Sequence, residues 1–324
     1  MYTQFFGLTE LPFELSPNPK YLLLTPRHRE ALANLQYGIS ARKSLTLLTG
    51  EAGTGKTTLI QAALASEACR STKIVHLANP TLTRGEFVEY LARAFNLSND
   101  ACHSKALLIS ELEMELVRRR AAGVNTALVI DEAQSLEREL LEEIRLMSNI
   151  ETPTEKLLPL VLVGQPEFAD RLNLPSLKQL KQRVALRCSL GLLDENETVA
   201  YVEGRIRIAG GHASTIFTRE ALSVVHRGAA GIPRTISVIC DNALVSGFAS
   251  ETRPIGPDII KEVCADFDLK APAPVKAPVQ VVSVPPSPPP AAPPAAAPAS
   301  DAPKAEGRVP LFSNFGRKRG FSFF

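Results

Sequence analysis

The sequence carries almost no charge imbalance: 36 Lys and Arg face 34 Asp and Glu, for a formal net charge of +2. Composition therefore makes no case for nucleic acid or for an acidic protein as partner. The five cysteines, Cys69, Cys102, Cys188, Cys240 and Cys264, are scattered and include no C-x-x-C. Their spacing excludes a zinc site and a disulfide framework and fits reduced thiols in a cytosolic protein. Tryptophan is absent. No uninterrupted apolar run approaches the roughly 18–20 residues of a membrane helix. Integral membrane placement is therefore not expected, while peripheral contact at an inner membrane stays open. The first twenty residues have no basic segment leading into an apolar one, so they do not read as a secretory signal.

What is present is enough apolar residue, 45% of the chain, to bury a sizeable core, and one stretch that organises the rest. Residues 45–58, LTLLTGEAGTGKTT, read as a buried strand, a glycine-rich turn and a helix that begins near Lys56. The turn fits G-x-x-x-x-G-K-[ST] at Gly50, Gly55, Lys56 and Thr57. Glycines let backbone N–H groups approach a phosphate closely, and the helix N-terminus adds a favourable dipole. Gly50, Glu51, Ala52, Gly53, Thr54, Gly55, Lys56, Thr57 and Thr58 are thus expected to cradle a nucleoside triphosphate. Lys56 would reach its β- and γ-phosphates, and Thr57 would offer a hydroxyl to Mg²⁺.

Residues 127–132, ALVIDE, form a second such stretch. An apolar strand ending in paired carboxylates is costly unless the carboxylates have a task. Asp131 would join the Mg²⁺ shell and Glu132 would polarise an attacking water. A further strand, 157–164, ends at Gln165. There a polar side chain could touch the γ-phosphate or the water, or simply open a turn. Residues 171–187 hold Arg171, Lys178, Lys181, Arg183 and Arg187 with no acid. This run reads either as a surface for nucleic acid or as the source of an arginine finger for a neighbouring subunit. Arg118, Arg119 and Arg120 close a helix at 104–120 and read as a solvated end that complements its dipole.

Strands at 73–78 and 184–190 and helices from Thr25, at 84–95 and at 137–147 complete an α/β pattern. In the last of these helices Glu139, Glu142 and Glu143 are expected to face outward. From Asp194 the pattern is all-helical, with helices at 195–209, 218–227, 235–250 and 257–266. The expected architecture is a P-loop NTPase fold: a parallel sheet with helices on both faces and a small helical lid. Its divisions are residues 1–192, 193–268, a disordered Pro/Ala-rich linker at 269–310 and an aromatic-basic tip at 311–324. Residues 1–30, rich in aromatics and prolines, are grouped with the α/β part, as a lid over the nucleotide base or as packing alone. More than half of the 25 prolines fall within residues 271–310, which cannot build a core. The tip, with Phe312, Phe315, Phe321, Phe323 and Phe324 around Arg317, Lys318 and Arg319, suggests docking to a protein or an anionic membrane.

The series FFGLTELPFELSPNPKYLLLTPRHREAL, LLTGEAGTGKTTL, LVIDEAQSL, LVGQPEF, QRVALRCSL and GIPRTISVICDNAL resembles the general secretion pathway A (ExeA) family of AAA+ ATPases across residues 1–267. The N-terminal block is its most family-specific part. The resemblance implies an ATP- and Mg²⁺-dependent hydrolase working as a ring of identical subunits. It implies Gln165 as a first sensor, Arg183 as the arginine finger with Arg187 as second choice, and Arg234 as a second sensor in the lid. It also implies Asn79, after the second strand, as a restraint on Glu132. Secretion-type members continue into a transmembrane helix and a peptidoglycan-binding region that this sequence does not show. In architecture it is more similar to shorter relatives that accompany type IV pilus assembly or polysaccharide export. Three functions follow as expectations: an envelope-assembly motor docked through its tail, a DNA-bound helper ATPase of the transposition type, and an ATP-binding scaffold with little turnover.

Overall fold

The computed structural model describes residues 1–269. Five parallel strands form one sheet: β1 (Leu45–Gly50), β2 (Thr72–Leu77), β3 (Asn125–Ile130), β4 (Leu160–Gly164) and β5 (Val184–Leu190), in the order β2-β3-β4-β1-β5. Strand β1 lies between β4 and β5, with Leu45 opposite Leu160 and Leu48 opposite Val163 and Cys188. The three inner strands are buried at nearly every position because both of their faces are covered. The edge strands β2 and β5 alternate between covered and open positions.

The pleat sends successive side chains to opposite faces, and each face has its own core. Leu45, Leu47, Leu128, Ile130, Leu160 and Leu162 meet Phe87, Leu91, Leu112, Leu140 and Ile144 on one side. Those partners come from α4 (Arg84–Phe95), α5 (Lys105–Ala121) and α6 (Arg138–Met147). Leu48, Ala127, Val129, Val161 and Val163 meet Leu35, Ile39, Leu59 and Ala63 on the other. These belong to α2 (Pro26–Ser40) and α3 (Lys56–Ala65), which follow a short α1 (Tyr2–Phe6). Local chemistry sets the helix starts. Thr83 and Glu86 form a reciprocal capping box at α4, and Thr25 caps α2 just ahead of Pro26.

Two charged groups differ from the sequence reading. Glu143 is buried rather than outward, because Arg84 and Lys105 at the starts of α4 and α5 converge on its carboxylate, each at 2.8 Å. Arg119 is buried as well: it binds Glu115 at 2.6 Å and the carbonyl of Phe95 at 2.9 Å. Arg118 pairs with Glu115 and Arg120 with Glu155, so the basic triplet is engaged within the fold.

After β4 come α7 (Pro166–Arg171) and α8 (Lys178–Arg183), and after β5 a group of helices: α9 (Glu195–Ile208), α10 (Arg219–Ala229), α11 (Pro233–Ala249) and α12 (Pro257–Asp266). Their shared core includes Val202, Ile206, Val225, Ile239, Leu244 and Ile260. It also includes Tyr2, Phe6, Leu8 and Phe13. The first thirteen residues therefore pack with the helical group, not with the sheet beside which the sequence grouping set them. Burying Phe6 and Phe13 stabilises this arrangement by about 1.5–3 kcal/mol each. Polar contacts fix its register: Tyr2 Oη donates to Asp241 at 2.5 Å, Thr9 N to the Ala209 carbonyl at 2.8 Å and Arg253 to the Phe5 carbonyl at 3.2 Å. All five cysteines are free and buried. Among the described residues no helix is long and apolar enough to cross a membrane. The Pro/Ala-rich linker and the aromatic-basic tip, from residue 270 onward, lie outside the described residues.

Candidate functional site

A cavity of about 270 Å³ opens where the C-terminal end of β1 meets the helical group. Ala52, Gly53, Thr54, Gly55, Lys56, Thr57 and Thr58 line it, together with Glu132 and Arg234. Lys56 is buried and its ammonium donates to the carbonyls of Gly50 at 2.8 Å and Glu51 at 3.0 Å. Burial holds that ammonium below the ordinary lysine range, and the carboxylates of Glu132 and Asp131 act in the opposite direction. Thr57 Oγ1 donates to Asp131 Oδ2 at 3.1 Å, and Asp131 Oδ1 accepts the Glu132 N–H at 2.9 Å.

This geometry fits a magnesium-bound triphosphate. Gly53, at φ +81°, brings its backbone so close to the helical group that a β-carbon would lie 2.8 Å from the Arg234 side chain. One lysine cation sits at the head of the loop, where phosphate charge would replace backbone carbonyls as its partner. The Thr57 hydroxyl and the Asp131 carboxylate form an oxygen-only donor pair, the kind that holds Mg²⁺ jointly with substrate phosphates. Among the described residues there is no cluster of three His, Cys, Asp or Glu that would make a separate metal cage.

The helical group reaches the loop through the sequence Gly231-Ile232-Pro233-Arg234. Arg234 N donates to the Gly53 carbonyl at 3.1 Å. Gly231, at φ +74°, exchanges a contact with Leu193, and a β-carbon there would lie 2.2 Å from the Leu193 carbonyl. No other residue fits that position.

Residues 14–18 and 21–23 line the cavity too. In the N-terminal segment the aromatic part packs among the helices and the stretch that follows lines the cavity. Four residues that sequence reading did not single out complete the wall: His28, Tyr201, Arg205 and Ser237. His28 is buried, sits 2.8 Å from Thr25 Oγ1 and 3.5 Å from the Thr54 carbonyl, and burial lowers its pKa toward a neutral ring. Arg205, only 7% exposed, donates to Tyr201 Oη and Ser237 Oγ at 2.7 Å each and to the Glu14 carbonyl at 3.1 Å. Its guanidinium lies 4.9 Å from the Tyr21 ring centre. Arg205 follows the buried Tyr201 and Val202 by four and three residues, so the helix period puts it on the inward side of α9 without revealing its partners.

Other expected residues stand apart. Gln165 lies at the tip of β4 but reaches the site through its backbone: its N–H donates to Gln134 Oε1 at 3.1 Å. Asn79 accepts from Thr81 N at 3.2 Å, while Glu132 is held by the side-chain amide of Gln134. Arg183 ends α8, outside the cavity, where its charge acts on Glu151. Arg187 is exposed on the edge strand β5. Arg171 does not contribute to a basic surface; it donates to the carbonyls of Gln134 at 3.1 Å and Leu136 at 2.6 Å.

A curated relative, general secretion pathway protein A of Aeromonas hydrophila, is 44% identical over 255 residues, covering 79% of this chain and 46% of its own length. Residues 39–172 match the family model described as an AAA domain. The chain carries an AAA domain and is related to general secretion pathway protein A over most of its length. It spans about half the length of the curated relative it matches. Solved structures agree with this fold. The Aeropyrum pernix ORC2 protein superposes with a TM-score of 0.59 at 17% identity, covering 80% of this chain and 72% of that one. The Thermotoga maritima RuvB Holliday junction branch migration motor gives 0.51 at 16% identity, covering 77% and 71%. At these identities the likeness is one of fold.

Proposed function

We propose that this chain binds and hydrolyses magnesium ATP, and that it acts as an oligomeric switch in assembling a bacterial envelope system. One observation carries the reading. The phosphate loop, Glu132 and Arg234 of the helical group share a single cavity, Asp131 stands behind it bonded to Thr57, and Arg234 N is bonded to the loop at Gly53. A nucleotide bound there would touch both parts of the chain, so gain or loss of its γ-phosphate would alter the contact between them. When bound, Mg²⁺ would be held by Thr57 and Asp131 and would neutralise phosphate charge. Lys56 binds and orients the β- and γ-phosphates. Glu132 accepts the proton of the attacking water, and Arg234 senses the terminal phosphate from the lid side.

Arg183 lies outside its own cavity, which supports a role on the γ-phosphate of a neighbouring copy. The name of the Aeromonas relative supports an envelope role. The DNA-helper alternative has less support than the sequence offered it, because Arg171 is engaged inside the fold. Phosphate release by wild-type protein and Glu132→Gln tests hydrolysis directly. Glu132→Gln should retain nucleotide binding and lose turnover by at least about 100-fold, within the range for a general base. Equal turnover in the two proteins would remove Glu132 from the reaction.

A further inference from the structure

Gln134 lies two residues beyond Glu132, in a single 3₁₀ turn at Ala133–Ser135, and is half-buried. Both ends of its side-chain amide are engaged. Nε2 donates to Glu132 Oε2, and Oε1 accepts the Gln165 N–H at 3.1 Å. The amide oxygen also rests against Gly164, the last residue of β4, where a β-carbon would approach it to 3.1 Å. The turn itself is fixed from the same side. Arg171, at the end of the helix that follows β4, donates to the carbonyls of Gln134 and Leu136. Glu132 is held at φ +51°, an uncommon conformation for a residue with a side chain.

These contacts need an amide. A carboxylate could accept from Gln165 but could not donate to Glu132, and an ammonium could donate but not accept. One glutamine therefore connects the carboxylate at the cavity edge to the tip of the strand beside it.

We propose that Gln134 is the positioning residue for Glu132, and that it makes the orientation of that carboxylate depend on the placement of Gln165. This rests on the reading of Glu132 as the group that activates water. The Asn79 side chain bonds to Thr81 N through its oxygen, whereas the hydrogen bond to the Glu132 carboxylate comes from Gln134. Without the amide, Glu132 would be free among several rotamers and would meet the water in a productive geometry less often. For metal ligands, losing such an outer hydrogen-bond partner costs about 10–100-fold, and the same scale is expected for this carboxylate.

The experiment measures phosphate release and nucleotide affinity in wild type, Gln134→Leu, Gln134→Glu, Glu132→Gln and the double variant Glu132→Gln/Gln134→Leu. Both single changes at Gln134 should lower kcat by about 10–100-fold and leave KM and nucleotide Kd within about threefold. In the Glu132→Gln background, Gln134→Leu should cost nothing further, because the group it positions is already gone. Gln134→Glu keeps the side-chain shape and the acceptor toward Gln165, so it provides the test if Gln134→Leu unfolds. Wild-type kcat in either variant would overturn the inference. So would an equal further loss in the double variant, which would mean that Gln134 acts independently of Glu132. Wild type that is faster than Glu132→Gln but no faster than Gln134→Leu refutes this inference alone. Wild type no faster than Glu132→Gln refutes the hydrolytic reading and this inference with it.

Discussion

Replacing Arg205 with alanine should destabilise the fold and loosen the nucleotide site together. The guanidinium makes three hydrogen bonds, all to uncharged oxygens: Tyr201 Oη, Ser237 Oγ and the Glu14 carbonyl. It also lies within 6.0 Å of the ring centres of Phe13, Tyr21 and Tyr201. Hydrogen bonds from a charged donor contribute about 1.5–3 kcal/mol each, so the three amount to roughly 4.5–9 kcal/mol. Burying a charge without a counter-ion offsets several kcal/mol of that. The net loss in Arg205→Ala is therefore about 3 kcal/mol, which for a domain of this size lowers Tm by about 6–12 °C. Arg205→Met keeps the apolar stem and removes the buried charge, so its Tm should fall by less than half as much. In both variants the segment from Glu14 to Leu23 loses its anchor beside the cavity, and nucleotide Kd should rise about tenfold, the equivalent of 1.4 kcal/mol. Thermal unfolding and nucleotide titration on the three proteins decide the matter. Arg205→Ala with wild-type Tm and wild-type Kd would refute the idea that this arginine holds the N-terminal segment against the helical group.

Two further outcomes are expected. Arg183→Ala should leave nucleotide binding by dilute protein unchanged and lower turnover of the assembled protein by about 10³-fold, the scale for an arginine supplied by a neighbour; full activity would transfer that role to Arg187 or elsewhere. Hydrogen bonds from Arg118 and then Arg119 pull the Glu115 carboxyl down to about 2, so its stabilisation is complete above the unfolded value near 4.5 and disappears as pH falls toward 2. Glu115→Gln should therefore unfold earlier than wild type at pH 7 and together with it near pH 2; a deficit that persists at pH 2 would assign the effect to packing.

Much of this structure was legible where local chemistry sets it. The start of the helix at Arg84, the proline that opens α12 and the glycine-rich turn after β1 each mark a boundary without help from distant residues. The phosphate loop and the Asp131–Glu132 pair were legible for the same reason, since their chemistry is concentrated in a few adjacent positions. Gln134 was not, because its partner Gln165 becomes a neighbour only once β4 is known to lie beside β3. Nor was the role of Arg205, which sits at i+3 and i+4 from the buried Val202 and Tyr201 but whose partner at Glu14 is distant in sequence. Glu143 was misread for a related reason: helix periodicity does not reveal that two other helices begin with cations aimed at it.

The packing of Tyr2, Phe6, Leu8 and Phe13 among α9–α12 also sets an order of events during synthesis. The hydrogen bond from Tyr2 to Asp241 joins residues 239 positions apart. As the chain emerges from the ribosome, the sheet can acquire most of its strands while these aromatic residues still have nothing to pack against. Their apolar surface stays open until the last helices appear, and closing so long a loop is slow. The beginning of the chain is therefore among the last parts to fold. Until it does, the wall of the nucleotide cavity contributed by residues 14–18 and 21–23 is not in place, so a nascent or truncated chain that has formed a complete phosphate loop would still hold nucleotide weakly.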